Sequence, residues 1–120
     1  MEAIEGEWEM VEAVRDGQPL GAEFVSRGRR TLRGGETTIL FRGAVFMRGT
    51  TRVDTTHVPW TIDYVVTGGP GRGRPQLGLW EFADGLLRVI VSPPGRPRPA
   101  GFDTRLGDDR TLTVWRRLGD

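Results

Sequence analysis

Hydrophobic and polar residues alternate along most of this chain, in short runs separated by Gly, Pro and Asp-Gly pairs. Alternation with a period of two predicts β-strands that bury one face, and closely spaced turn residues predict an all-β sandwich or barrel. Only residues 19–26 could form a helical turn, and they are too few and too rich in Gly to be more than a lid or a connector. The predicted strands cover residues 8–14, 28–33, 36–42, 44–48, 51–56, 60–67, 76–82 and 111–117, with another strand directly after Asp84-Gly85.

The first predicted strand ends at Asp16-Gly17, a pair that readily adopts the positive φ of a tight turn. Gly43, later in the chain, is interpreted as a bulge or bend between two strands. Strict alternation divides the apolar residues of the first strand between two faces, with Trp8, Met10 and Val14 on one and Val11 and Ala13 on the other.

Two further turn signals predict tight hairpins. Gly34-Gly35 and Asp84-Gly85 each join two alternating runs, and such pairs favour two-residue turns because they tolerate positive φ. These turns fix which residues face each other, because the register of a hairpin follows from its turn. The expected cross-strand neighbours are Leu32 with Thr37, Arg33 with Glu36, Phe82 with Leu87, Glu81 with Arg88, and Trp80 with Val89.

Prolines interrupt the pattern before the last strand. Residues 92–99 contain four prolines and cannot pair in a sheet, so they are expected to form an extended crossing loop. The remaining segments form an antiparallel meander of about eight strands, and closing it into a barrel removes its exposed edges. We therefore expect a single all-β domain over residues 1–120, a closed barrel with at most one short helix.

Composition narrows the functional classes. The 120 residues are 37% hydrophobic and 28% charged, and the absence of Cys excludes disulfides, thiolate nucleophiles and Cys-based metal sites. All 17 basic residues are Arg, but 16 acidic residues leave a net charge of +1, which argues against nucleic-acid binding. The Arg clusters, including that of residues 27–33, are therefore assigned to the solvated surface. Without a signal peptide or a run of ~20 apolar residues, we expect a cytoplasmic protein that does not bind membranes.

The segment Gly6-Glu7-Trp8 resembles the G-x-W motif of lipocalins. The chain is most similar to a small uncharacterised lipocalin-like domain family best known from planctomycetes, over essentially its whole length. The resemblance implies a lipocalin-like barrel in which Trp8 closes one end and an Arg of the last strand, either Arg116 or Arg117, packs across it; it implies no activity. The most specific shared segments are residues 6–8, 16–20, 60–64, 77–82, 84–85 and 93–99.

An eight-stranded barrel has an interior that is either filled by side chains or able to hold one small ligand. The leading hypothesis is that this barrel binds a small hydrophobic or amphipathic molecule and uses no cofactor. Since Trp8 is expected to plug one end, binding is expected at the other. The predicted ligand-binding residues are Phe41, Tyr64, Trp80 and Phe82 as walls and Arg88 at the mouth.

Two other hypotheses stay open. The protein could be a structural or interaction domain with a filled core, a monomer or a homodimer whose contact surface includes an apolar patch around Trp115. It could instead be a cofactor-free isomerase or cyclase, in which a side chain beside the ligand supplies a proton. The candidates for proton transfer are His57, Asp63, Tyr64 and Glu81.

Simpler explanations exist for most of these polar residues. His57 is the only histidine and has no carboxylate cluster near it in sequence, so it indicates neither a metal site nor a catalytic triad. Asp54 and Asp63 could meet on adjacent strands or face solvent separately. Glu81 could form an external ion pair with Arg88 instead of placing charge at the barrel mouth.

Overall fold

The computed structural model describes residues 3–119, which form nine β-strands and one short helix. No helix within those residues is long and apolar enough to cross a membrane. The strands are β1 (Gly6–Arg15), β2 (Gln18–Pro19), β3 (Gly28–Arg33), β4 (Glu36–Phe41), β5 (Ala44–Asp54), β6 (Trp60–Gly68), β7 (Pro75–Ala83), β8 (Leu86–Val91) and β9 (Thr111–Gly119). The helix α1 (Ala22–Ser26) lies between β2 and β3.

Eight of these strands form one closed antiparallel barrel. They pair in the order β1-β3-β4-β5-β6-β7-β8-β9, and β9 pairs with β1 to close the sheet. The two-residue strand β2, which the alternation did not predict, pairs with the end of β1. The prediction of an all-β meander, closed into a lipocalin-like barrel with one short helix, is confirmed.

Both predicted hairpins have the expected register. Leu32 lies opposite Thr37 across Gly34-Gly35, and Phe82 lies opposite Leu87 across Asp84-Gly85. The φ angles are +57° and +80° in the first turn and +54° and +76° in the second, the left-handed conformation that a two-residue type I′ turn requires. Turn chemistry and alternation therefore determine how these strands pair.

The interpretation of Gly43 as a bulge or bend is wrong. Arg42 and Gly43 have φ angles of +54° and +77° and form a further two-residue turn between β4 and β5. The strand that follows is continuous, so the two strands predicted over residues 44–48 and 51–56 are one.

Two β-bulges change which side chains face the interior. The pairing of β1 with β9 shifts between Met10 and Glu12, so Ala13 is buried in the barrel core while Val14 packs outside it. Strict alternation predicted the opposite sides for these two residues, because it cannot register the extra residue that a bulge inserts. In β5, Phe46 has no partner in β4 and lies at a second bulge.

The barrel interior forms the main core, and a smaller cluster lies outside the sheet. The outer cluster is Leu79, Ile90 and Leu112, with Val14 and Phe102 packed against it. Buried apolar surface on both faces of β7, β8 and β9 stabilises this side of the barrel. The main core contains Ile4, Trp8, Met10, Ala13, Leu32, Met47, Ile62, Tyr64, Val66, Trp80, Leu87, Val89 and Trp115.

The long connection over residues 92–110 covers the outer cluster and is held to the barrel by Arg98. The two terminal nitrogens of Arg98 lie 2.5 and 3.0 Å from the two carboxylate oxygens of Asp63, and one of them donates to the Gly78 carbonyl at 2.9 Å. The hydrogen bond to Asp63 raises the pKa of Arg98 further above its usual value. Residues 92–99 form no strand, as their prolines predicted.

Candidate functional site

One end of the barrel is closed by aromatic side chains, and we call it the tryptophan end after Trp8, Trp60 and Trp80. Trp8 is buried, and its indole nitrogen donates a hydrogen bond to the Ile4 carbonyl at 3.0 Å. The Arg117 guanidinium lies 4.1 Å from the centre of a Trp8 ring, a distance at which a cation is attracted to an aromatic face. Of the two Arg residues expected beside Trp8, Arg117 therefore lies over it.

The other residues expected at this closure have separate positions. Arg116 points outward and pairs with Glu9 at 3.2 Å. Gly6 begins β1 opposite Leu32 with a φ of +125°, a backbone conformation that favours glycine.

Two of the predicted ligand-binding residues lie at the tryptophan end. The Phe82 ring is 6.2 Å from the Trp8 ring and 5.6 Å from the Trp80 ring. Trp80 is buried beside Trp60, with ring centres 4.8 Å apart, and its indole nitrogen donates to the Thr61 carbonyl at 3.1 Å. Trp80 and Phe82 thus pack around the closing residue Trp8, and the structure does not bring them to the opposite end.

Arg88, the residue expected at the mouth, lies on the outer face of β8. Its guanidinium forms an ion pair with Glu81 and lies 5.2 Å from the centre of the Phe102 ring, which belongs to the outer cluster. The neighbours of Arg88 along the strand, Leu87 and Val89, point into the barrel. The Arg88 side chain therefore lies on the outer surface of the barrel and does not face the interior.

The opposite end of the barrel, which we call the helix end, is lined by three phenylalanines, one on α1 and two on the strands β4 and β5. The ring centres of Phe24 and Phe41 are 4.1 Å apart in a stacked arrangement, and Phe46 meets Phe41 edge-on at 5.2 Å. Phe24 and Phe46 remain 38% and 47% exposed. Large aromatic side chains that cluster in partial contact with solvent are typical of binding surfaces.

Two clefts flank α1 at the helix end. The first has a volume of about 370 Å³ and is lined by Glu23, Phe24, Arg27, Phe41 and Arg42. The second has a volume of about 550 Å³, runs between α1 and β1, and reaches the core residues Met10 and Ala13. The helix thus lies over this end of the barrel with open space on both sides.

The barrel interior contains a charged residue, Arg30, which is only 2% exposed. Its guanidinium donates a hydrogen bond to the hydroxyl of Tyr64 and lies 5.8 Å and 5.4 Å from the ring centres of Tyr64 and Trp115. In the part of the chain that the structure describes, its Nε has no hydrogen-bond partner. Within residues 3–119, no Asp or Glu forms an ion pair with it.

Tyr64 is fully enclosed, and its hydroxyl accepts the hydrogen bond from Arg30. Burial raises the pKa of Tyr64 above its usual value, and the nearby Arg30 charge only partly opposes this effect. The phenol is therefore neutral at physiological pH and retains a proton to donate. Among residues 3–119, no group accepts a hydrogen bond from it.

Of the four candidates for proton transfer, only Tyr64 faces the barrel interior. Asp63 and Glu81 lie on the outer face, paired with Arg98 and Arg88 respectively. His57 is exposed, with its Nδ1 3.0 Å from the Thr56 hydroxyl.

Asp54, the carboxylate expected near Asp63, has its own partners. It accepts hydrogen bonds from the hydroxyl and the amide of Thr56, at 2.6 and 2.8 Å. These two bonds lower the pKa of Asp54. Asp54 and Asp63 therefore do not form a carboxylate pair that could divide acid and base roles.

Sequence reasoning missed the residues that mark the helix end and the interior. Arg30 belongs to a cluster that was assigned to the solvated surface, and that assignment is wrong for this residue. A signal was present, because Arg30 alternates in phase with Leu32, which is an apolar residue of the core strand pattern. Phe24 and Phe46 lie on a short helix and at a bulge, where no periodicity reports which way a side chain points.

Comparison with known protein families, with curated proteins and with solved structures gives no match for this chain. The structure establishes a closed eight-stranded antiparallel barrel, which is consistent with a lipocalin-like fold.

Proposed function

We propose that this protein is a lipocalin-like binding protein that takes up a small amphipathic molecule at the helix end of its barrel. The observation that carries the proposal is the cleft of about 370 Å³ beside α1, with Phe24 and Phe41 as apolar walls and Arg27 and Arg42 at its edge. Ligand sites usually have volumes of about 300–1,000 Å³ and combine mostly apolar walls with a few polar groups. The family resemblance of the motifs, which we retain as a proposal, agrees with such a role without specifying a ligand.

The charges around the cleft favour an amphipathic ligand over a purely apolar one. Arg42 pairs with Glu23 at 2.8 Å, whereas no carboxylate of residues 3–119 pairs with Arg27. Arg27 can therefore attract the polar end of a ligand to this end of the barrel, while the apolar part contacts the phenylalanine rings.

Side chains that can rearrange lie directly beneath the rim. Met10 packs against Gly28 of β3, and Met47 lies across from Ile39 of β4. Methionine is unbranched and adaptable, so these two residues could make room for a ligand at little cost in packing energy. The helix end can therefore widen toward the core without a change in the strands.

Binding of 1-octanol, measured by displacement of a hydrophobic fluorescent dye and by calorimetry, tests this proposal. Phe24→Ala is expected to weaken binding about tenfold or more, because it removes most of one wall of the cleft. Phe82→Ala is the matched control, since Phe82 is 41% exposed at the tryptophan end. Equal effects of the two substitutions would contradict binding at the helix end.

One observation supports the alternative of an interaction domain, namely that its core is filled by side chains. The thirteen buried residues of the main core fill the barrel from Ile4 to Trp115, but Trp115 is itself fully buried, so the contact surface expected around it is wrong. If the folded protein binds neither octanol nor the dye, this alternative replaces the binding function. A barrel isomerase or cyclase has weaker support, since Tyr64 alone of its candidate residues faces inward.

A further inference from the structure

We infer that Arg30 and Tyr64 form the head-group site for the carboxylate of an amphipathic ligand, whose apolar tail extends toward the phenylalanines of the helix end. The inference rests on the proposed function and deepens it, because it names the chemical class of the ligand.

Arg30 carries a positive charge in the barrel interior. A guanidinium removed from water and left without a carboxylate is costly, and proteins normally bury an Arg only when an acid pairs with it. The Trp115 and Tyr64 rings near Arg30 offset only part of that cost. An interior cation without a counter-ion is explained if the counter-ion arrives with the ligand.

Arg30 and Tyr64 also have hydrogen-bond donors that no group of residues 3–119 uses. The Nε–H of Arg30 has no partner, and the Tyr64 hydroxyl accepts from Arg30 without donating to any group of residues 3–119. Burial keeps the pKa of Tyr64 high, so its proton remains available. A carboxylate has two oxygens that accept such bonds, and charge-assisted bonds are the stronger kind.

The charge balance also selects among anions. One guanidinium and one neutral phenol supply a single positive charge. A carboxylate neutralises it, whereas a phosphate monoester, with close to two negative charges at pH 7, would leave a buried negative charge without a partner. The site therefore fits a monoanion better than a phosphate.

Arg30 lies on a strand that leads from the helix end into the barrel. Gly28, which lies opposite Phe41 at the helix end, precedes Arg30 by two residues on the same inward face of β3. At 3.3–3.4 Å per residue, Arg30 lies about 7 Å from Gly28 along the strand, on the side toward the barrel interior. Met10 occupies the space against Gly28 and would have to move aside for the ligand.

Calorimetry with sodium octanoate, 1-octanol and octyltrimethylammonium on the native protein separates the parts of this inference. Octanoate should bind about 10- to 100-fold more tightly than octanol, the range expected for one or two charge-assisted hydrogen bonds. Octyltrimethylammonium should bind more weakly than octanol, because its charge has the same sign as Arg30.

Substitutions then assign the preference to its residues. Arg30→Met should abolish the preference for octanoate over octanol, and Tyr64→Phe should reduce it about 3- to 30-fold while changing no other atom of the ring. Arg52→Met removes an exposed Arg of β5 and is the control that should retain the full preference. If Arg30→Met does not fold, the isosteric Tyr64→Phe and the three ligands still decide the question.

The outcomes distinguish this inference from the proposed function. If octanoate and octanol bind equally well to the native protein, the head-group site is wrong and the binding function stands. The same holds if Arg30→Met and Tyr64→Phe both leave the preference intact. If no amphiphile binds to the folded protein, both proposals fail together.

Discussion

The Arg117 guanidinium lies 4.1 Å from the centre of a Trp8 ring, while its neighbour Arg116 points to the other side of β9 and pairs with Glu9. Arg117 also donates hydrogen bonds to the carbonyl oxygens of Ala3 and Glu5, at 2.6 and 2.8 Å. One side chain therefore joins the last strand, the ring that closes the tryptophan end and the segment before β1.

Arg117→Met should lower the free energy of unfolding by about 1–2 kcal/mol, because it removes a cation–π contact and hydrogen bonds to main-chain carbonyls. Arg116→Met should change it by less than about 0.5 kcal/mol, since an exposed ion pair contributes little. Urea unfolding of the two variants, followed by tryptophan fluorescence, measures the difference. Equal losses would mean that position on the last strand, and not contact with Trp8, determines the effect.

Arg30→Met should raise the free energy of unfolding of the ligand-free protein by about 1 kcal/mol or more. Replacing buried charges with apolar residues of similar volume is often stabilising by about 1–4 kcal/mol, and among residues 3–119 no ion pair offsets the cost of burying Arg30. Loss of the hydrogen bond to the buried Tyr64 hydroxyl and of the ring contacts with Trp115 and Tyr64 reduces the gain. Thermal unfolding without ligand measures it.

A large loss of stability in Arg30→Met would contradict this expectation. It would show that the contacts of Arg30 inside the barrel stabilise the fold, so that Arg30 is a structural residue. A gain in stability together with a loss of octanoate binding is the pattern of a site whose function is maintained at the expense of stability.

The stability of the native protein should fall as the pH rises above about 10, the usual pKa of tyrosine. Burial raises the pKa of Tyr64 in the folded state, so the unfolded chain loses the phenolic proton first. Stability is therefore complete below the unfolded pKa, and it declines as the pH rises from that value toward the folded pKa. Urea unfolding between pH 9 and pH 11.5, values chosen around that pKa, measures the decline.

Tyr64→Phe is the control for this pH dependence, because it should remove the decline. Tyr64 is the only tyrosine of the chain, so the ultraviolet absorbance of tyrosinate reports its ionisation directly. Appearance of tyrosinate in the folded protein near pH 10 would contradict the burial of the hydroxyl.

Arg98→Met and Asp63→Asn should each lower the free energy of unfolding by about 1–2 kcal/mol, between the values of exposed and buried ion pairs. The pair has two-point geometry and is about one-third exposed, with side-chain exposures of 32% and 34%. A double-mutant cycle should give a coupling energy of at least about 0.5 kcal/mol.

Arg105→Met provides the comparison, because Arg105 pairs with Asp103 in the same connection but both side chains are largely exposed. It should change stability by less than about 0.5 kcal/mol. A coupling near zero between Arg98 and Asp63 would mean that the other contacts of residues 92–110, the outer apolar cluster and the hydrogen bonds of Gly107 and Asp109 to Asp16, hold this connection on the barrel.

The two strand pairs whose register the sequence predicted correctly are those joined by Gly34-Gly35 and Asp84-Gly85. At Asp84-Gly85 the turn conformation is encoded locally, and alternation on both sides leaves one register that buries the apolar face. The bulge in β1 could not be predicted in this way. It arises from the pairing of β1 with β9 across the closed barrel, and it reverses the sides of Ala13 and Val14.

The candidate site was predictable only in part. Phe41 and Tyr64 were expected to line the barrel. Phe41 lies at the helix end, and Tyr64 lies in the interior. Arg88 was expected at the mouth, although the same hairpin puts it on the face opposite Trp80 and Phe82, and it lies outside the barrel. Trp80 and Phe82 were grouped with Phe41 and Tyr64 because a hairpin pattern reports which face a residue occupies. It does not report which end of the barrel the residue reaches.

By itself, the sequence determined an all-β meander, its two best hairpins and the position of Trp8 at the start of the first strand, because alternation and turn propensity act over a few residues. Tertiary structure alone decided that Arg117 covers Trp8 and that Arg30 is buried beside Tyr64. These relationships depend on how the sheet closes and on where bulges shift its faces. Closure brings together residues as distant as β1 and β9, and no local pattern encodes that distance.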